Sequence, residues 1–257
     1  MFEIIILIFL IQVLFFIFAS IFKTDKFTDL SYGLTFVFVA IYLLFKDGNI
    51  ILLAMPIIWG IRLATYLFIR ILKIKKDQRF DGVRENFWQF AKFWLLQAIS
   101  IFIISLPFIF ASLNNLPKNI CFLALILFSV GLYMETVADW QKYQFKNQQN
   151  KKDPFIKTGL WKYSRHPNYF GEMLMWWSIY MFIVRDLNGW QHLLIIGPIY
   201  ISALLLFVTG VPTLEKKYEQ RYGEQWQKYK NRTSLIIPLP RIFLVVLFKK
   251  FFSSFTF

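Results

Sequence analysis

Four ionisable side chains, Glu135, Asp139, Lys142 and Lys146, follow one another at spacings of four, three and four. On a helix this spacing makes a single stripe, acids at one end and bases at the other. The plain reading is a ladder of i,i+3 and i,i+4 ion pairs. The functional reading is one wall of a pocket for a ligand with hydroxyls and phosphates, since carboxylates accept from hydroxyls and amides while ammonium groups hold phosphate. A denser block follows at 158–177, TGLWKYSRHPNYFGEMLMWW. Pro167 suits the first turn of a helix, so a helix is expected to begin there. Its free N–H groups and partial positive charge, beside Arg165 and His166, make an anion site in physical terms. Asn168 and Glu172 lie one turn apart on that helix. Gly171 between them lets another backbone or a ligand ring come close.

A third block, 214–238, sets Glu215, Tyr218 and Tyr222 at helical spacing, with Tyr229 and Arg232 beyond. By itself it reads equally well as a solvated helix resting on acidic lipid. His192 is expected at an interface. No His/Cys/Asp/Glu cluster has metal spacing, and Cys121 is alone. No G-x-G-x-x-G or Walker-A loop is present, so a nucleotide would be held by helices.

The elements that must position these residues are transmembrane helices. The chain has 257 residues, 57% of them apolar and 20% aromatic, with a mean hydropathy of +0.50. That composition excludes disorder, and the lone cysteine excludes a disulfide scaffold. Apolar runs long enough to cross about 30 Å of hydrocarbon are expected at 2–22, 28–46, 50–72, 88–114, 118–138, 168–185 and 191–211. The fold class is therefore an all-α polytopic bundle of about seven spans. Pro107 and Pro198 are expected to kink their spans. The broken apolar stretch 242–257 is expected to lie along the interface.

The excess of basic over acidic residues, +14, gathers at 73–87, 139–167 and 212–241. This placement argues for anionic lipid or a phosphorylated ligand as partner, not nucleic acid. By the positive-inside rule it puts the amino terminus outside and the carboxyl terminus in the cytoplasm. The first segment carries Glu3 and no basic leader, which argues against a cleaved signal peptide. Residue choice and short loops point to a bacterial inner membrane. The chain reads as one membrane domain, 1–257, with substrate-side helices at 1–115 and a cofactor half at 116–257.

The blocks together resemble the steroid 5α-reductase-like membrane superfamily, in particular its bacterial branch labelled DUF1295. The resemblance rests on Glu135-x-x-x-Asp139-x-Gln141-x-x-x-Phe145-Lys146, on Gly159-Leu160-Trp161-x-x-x-Arg165-His166-Pro167-Asn168-Tyr169-x-Gly171-Glu172, and on Tyr222-Gly223…Tyr229…Pro238. An amino-terminal part, Trp59-x-x-Arg62-Leu63…Arg70…Asp77-x-Arg79-Phe80, is similar too. The resemblance implies NADPH in a cytoplasm-facing cavity of the carboxyl-terminal half and a lipid-like substrate in the other. It implies cofactor contacts at Asp139, Lys146, Asn168, Tyr169, Glu172 and Tyr222, with Glu135, Lys142, Trp161, Arg165 and His166 alongside. The superfamily's Glu and Tyr pair for a steroid ketone has no close match, so a steroid is not implied. Asp29 and Tyr66, with Trp59 near, are the candidates for polarising a substrate carbonyl.

The expected activity is NADPH-dependent reduction of an activated C=C bond in an isoprenoid, sterol-like or fatty substrate. The alternative is an S-adenosylmethionine-dependent methyltransferase, because isoprenylcysteine carboxyl methyltransferase relatives share an R-H-P-x-Y-x-G turn. A third reading is a lipid-binding scaffold or transporter.

Overall fold

The computed structural model describes residues 1–74, 80–149 and 152–239. The expected interfacial tail and the motif residues Asp77 and Arg79 lie outside them. The architecture is all-helical: α1 (Phe2–Ile21), α2 (Thr28–Leu44), α3 (Ile50–Ile74), α4 (Phe87–Leu113), α5 (Phe122–Asn147), α6 (Pro167–Ile183), α7 (Ile196–Ala203) and α8 (Val211–Arg232). Among the described residues, five helical segments are long and apolar enough to cross a membrane. The chain is an integral membrane protein.

Two expected spans differ in detail. The fifth helix starts later than 118, at Phe122, and runs on to Asn147, because a helix can continue after its hydropathy falls. The seventh segment is not uniformly α-helical. A 3₁₀ stretch (Gly189–Ile195) leads into α7, and a π-helical turn (Leu204–Val208) follows it. Pro198 occupies the first turn of α7, where its missing N–H costs little. Pro107 sits inside α4, which continues through it.

The described residues fall into two compact units, one from Met1–Ala124 and Ser178–Ile201, the other from Leu125–Trp177 and the residues from Ser202 onward. In the first, α2 packs on α3 where two glycines meet. A Cβ on Gly60 would stand 2.7 Å from the carbonyl oxygen of Gly33. Small residues of this kind let apolar helices approach closely in lipid. Amides tie α1, α2 and α4 together: Gln97 Nε2 donates to Gln12 Oε1 at 2.9 Å and Ser31 Oγ at 3.1 Å, and Gln12 Nε2 donates to Thr35 Oγ1 at 2.7 Å. Before α4, buried Arg84 pairs with buried Asp25 at 2.8 Å. Asn86 then caps α4, its Oδ1 accepting from Gln89 N at 3.1 Å.

Candidate functional site

The chemistry-bearing residues of the second unit are organised by a direct contact of α5 with α6. A Cβ on Gly171 would stand 2.5 Å from Gly131 O and 2.7 Å from Glu135 N, so only glycine fits. The contact lays the acidic stripe of α5 onto the polar face of α6. Glu135, Asp139 and Glu172 are all buried, at 3%, 5% and 9% exposure. Asn168, in the first turn of α6, donates Nδ2 to Asp139 Oδ1 at 3.3 Å. Its own Oδ1 is buried without a hydrogen-bond partner. Buried carbonyl oxygens are ordinarily satisfied, so this acceptor is suited to an N–H donor from a ligand.

From Asp139 the stripe climbs toward solvent. Lys142 is half-buried, its ammonium 4.7 Å from the centre of the Trp161 ring, and Lys146 is exposed. The Trp161 ring is fixed from below by Nε1 donation to Ala138 O at 3.0 Å. The turn before it needs Gly159, whose φ is +61° and whose missing Cβ would meet the Gln141 side chain at 2.5 Å. Gln141 Oε1 accepts from Leu160 N at 3.0 Å and completes that turn.

At the outer end of the stripe a cavity of about 550 Å³ opens. Its cations are Lys142, Lys146, Lys152 and Arg221, and its rings include Phe155, Tyr218 and Tyr222. Asp153 also lines it but pairs with Lys157 at 2.7 Å, which leaves the wall's balance positive. The α8 contribution comes from Tyr218, Arg221 and Tyr222, which share one helical face, and from Gln225 just past the non-helical Gly223, where α8 is kinked. Phe155 anchors this wall through edge and tilted ring contacts with Tyr222, Trp226 and Tyr229 at 5.1, 5.0 and 5.3 Å.

The base of α8 is braced to the start of α6. Glu215 accepts from the Arg165 guanidinium, and its Oε1 lies 2.9 Å from His166 Nε2. Lys230 approaches the same carboxylate at 3.9 Å. The His166 ring stacks on Tyr169, centroids 5.3 Å apart. Burial pushes the His166 pKa below its ordinary value, against the hydrogen bond to the Glu215 carboxylate, which raises it. The Tyr229 hydroxyl donates to Trp161 O, and Arg165 N donates to Ser234 O at 2.9 Å.

The expected cofactor residues therefore divide by surroundings. Lys142, Lys146 and Tyr222 line the cavity; Glu135, Asp139, Asn168 and Glu172 form the buried polar seam. Trp161, Arg165, His166 and Tyr169 make contacts that hold the seam's surroundings together. Asp29 and Tyr66 belong to the first unit. There Asp29 accepts from Arg70 Nη2 at 3.1 Å, and the Arg62 guanidinium lies 5.4 Å from the centre of the Tyr66 ring. Sequence reading missed Lys152, Phe155, Arg221 and Gln225 as cavity residues. Arg221 could have been found from its helical register with Tyr218, whereas Gln225 lies past the break at Gly223 and Lys152 and Phe155 lie in irregular chain with no period to betray them.

A family model described as Protein of unknown function (DUF1295) matches residues 15–233. The Protein-S-isoprenylcysteine O-methyltransferase of Saccharomyces cerevisiae is 28% identical over 135 residues, covering 48% of this chain and 52% of that protein. An uncharacterized protein of Schizosaccharomyces pombe is 26% identical over 184 residues, covering 59% of this chain and 53% of that protein. The chain thus spans about half the length of the curated relatives it matches. No solved structure matches.

Proposed function

This chain belongs to the DUF1295 family, and from that premise we propose that it is a membrane-embedded, NADPH-dependent reductase of an activated C=C bond in a hydrophobic substrate. The observation that carries the reading is the graded site of the second unit: a buried carboxylate-and-amide seam leading to a cavity with four cations and aromatic walls. NADPH has the matching order of groups, from a carboxamide and ribose hydroxyls to a diphosphate and a further phosphate. Asn168 Oδ1 would accept from the carboxamide, Asp139 and Glu172 would accept from hydroxyls, and Lys142 and Lys146 would hold the diphosphate. When bound, the nucleotide would supply a hydride to the β-carbon of the enone and leave as NADP⁺, while a proton taken up at the α-carbon completes the reduction. For the substrate carbonyl we propose Tyr66 of the first unit as the O–H donor, with Asp29, which accepts from Arg70 Nη2, as the second candidate. In this reading the basic loops face the cytoplasm of a bacterial cell, where NADPH is available.

The second reading is methyl transfer from S-adenosylmethionine, favoured by the relative in Saccharomyces cerevisiae. Electrostatics separates the two. S-Adenosylmethionine carries a sulfonium and no phosphate, so a cavity with Lys142, Lys146, Lys152 and Arg221 in its wall repels it and attracts a polyphosphate. The test is a titration of the detergent-solubilised protein with each compound, followed by tryptophan fluorescence. Saturable quenching by NADPH supports the reductase. Saturation by S-adenosylmethionine alone makes the protein a methyltransferase instead.

A further inference from the structure

We infer that Lys152 and Arg221 form a subsite that reads the phosphate on the adenosine ribose, and so make the protein select NADPH over NADH. The inference rests on the dinucleotide reading above and goes beyond it, because Lys152 lies outside the motif blocks, Arg221 is not among the residues singled out in the third block, and neither lies on the α5 stripe. The cavity's cations come from two kinds of chain: Lys142 and Lys146, one turn apart on α5, continue the stripe from Asp139, while Lys152 and Arg221 come from the connection after α5 and from α8. A dinucleotide whose carboxamide meets Asn168 lays its diphosphate near the first pair. Its adenosine then lies farther out, among the rings of Phe155, Tyr218 and Tyr222.

Those rings sit beside the second pair of cations. The Arg221 guanidinium lies 5.5 Å from the centre of the Tyr222 ring, so a base stacked there brings its ribose next to a planar, bidentate phosphate donor. Lys152 adds a second positive charge in the same wall. The neighbouring acid, Asp153, is turned to Lys157 at 2.7 Å and does not cancel them. Nothing else about NADH differs from NADPH, so cations at this position act on one nucleotide and not on the other.

Both side chains are exposed, so their removal leaves the fold intact. The experiment measures NADPH and NADH binding by tryptophan fluorescence for the parent protein, for the Lys152→Ala/Arg221→Ala double variant and for Lys142→Ala/Lys146→Ala. Lys228→Ala, on an exposed part of α8 away from the cavity, is the control. The parent should prefer NADPH. The first double variant should bind NADPH about 10- to 100-fold more weakly while holding NADH unchanged, as expected for loss of charge-assisted hydrogen bonds. The second should weaken both nucleotides alike. Equal weakening of both by Lys152→Ala/Arg221→Ala, or no change in either, overturns the subsite while leaving the dinucleotide reading standing. A parent that binds neither nucleotide overturns both.

Discussion

Gly131 and Gly171 face each other so closely that a Cβ on Gly171 would press on the carbonyl oxygen of Gly131 at 2.5 Å. The acidic stripe of α5 is registered on α6 by that contact, since Glu135 and Asp139 follow Gly131 by one and two helical turns. Gly171→Ala should force α5 and α6 apart, at about 1–3 kcal/mol for overpacking. Nucleotide affinity should fall with the melting temperature. A variant that melts and binds like the parent would show that the seam does not depend on this register.

Asn168 and Asp139 supply a sharper probe of the seam. Asn168→Asp replaces the amide donor 3.3 Å from Asp139 Oδ1 with a second carboxylate. Like charges at that distance repel, so the variant should lose nucleotide binding. Asn168→Ala should lose less, about 1–3 kcal/mol from unmade hydrogen bonds. The order of the two variants in a binding titration is the check, and the reverse order contradicts the assignment.

Glu215 collects Arg165, His166 and Lys230 in one carboxylate. Glu215→Ala leaves two partly or wholly buried donors without their acceptor, and should cost about 3 kcal/mol of stability. Its effect on nucleotide affinity should be smaller than that of Lys142→Ala/Lys146→Ala, because Glu215 does not line the cavity. Thermal unfolding compared with titration separates the two effects.

The pH dependence follows from His166. Its folded pKa is lowered by burial, beneath an unfolded value of about 6.5. The unfolded chain therefore takes up the proton more readily, so this contribution is full above about pH 6.5 and is lost as pH falls through the folded value. The melting temperature should drop between pH 7.5 and 5.5, and His166→Asn should flatten part of that drop. The chain's other histidine, His192, is exposed and serves as the control position. A parent melting curve indifferent to this interval would contradict the buried neutral imidazole.

In the first unit, Arg84 and Asp25 are buried together at 2.8 Å. Arg84→Met removes a buried guanidinium partner of the Asp25 carboxylate and should cost about 3–5 kcal/mol. Adding Asp25→Leu should recover a good part of that loss. Absence of recovery, read from thermal unfolding of both variants, would mean that Asp81 and Glu85, the other carboxylates beside Arg84, dominate the site.

Hydropathy made the helices legible, since Phe2–Ile21 and Phe87–Leu113 are apolar runs with little competing signal. It failed at the end of α5, where the charged and amide residues from Asp139 to Lys146 lower the hydropathy of a segment that is still helical, because local propensity and packing carry a helix past the point where an apolar run stops. It failed again at 189–208, where 3₁₀ and π geometry leaves the same side-chain pattern as an α-helix. The α5 stripe and Asn168 with Glu172 were readable because helical spacing fixes their shared face. The partnership of Arg165 and His166 with Glu215 was not, since about 50 residues separate them and no period links the two segments. The cavity's Lys152 was hidden for the same reason.

The stretch after α8 has a job out of proportion to its length. Ser234 bridges to Ser164 and receives the amide of Arg165, while the Ser164 hydroxyl donates to Ile236 O at 2.7 Å. These few residues act as a clasp on the entrance to α6. A chain truncated after Thr233 should open the clasp and free the histidine corner to drift.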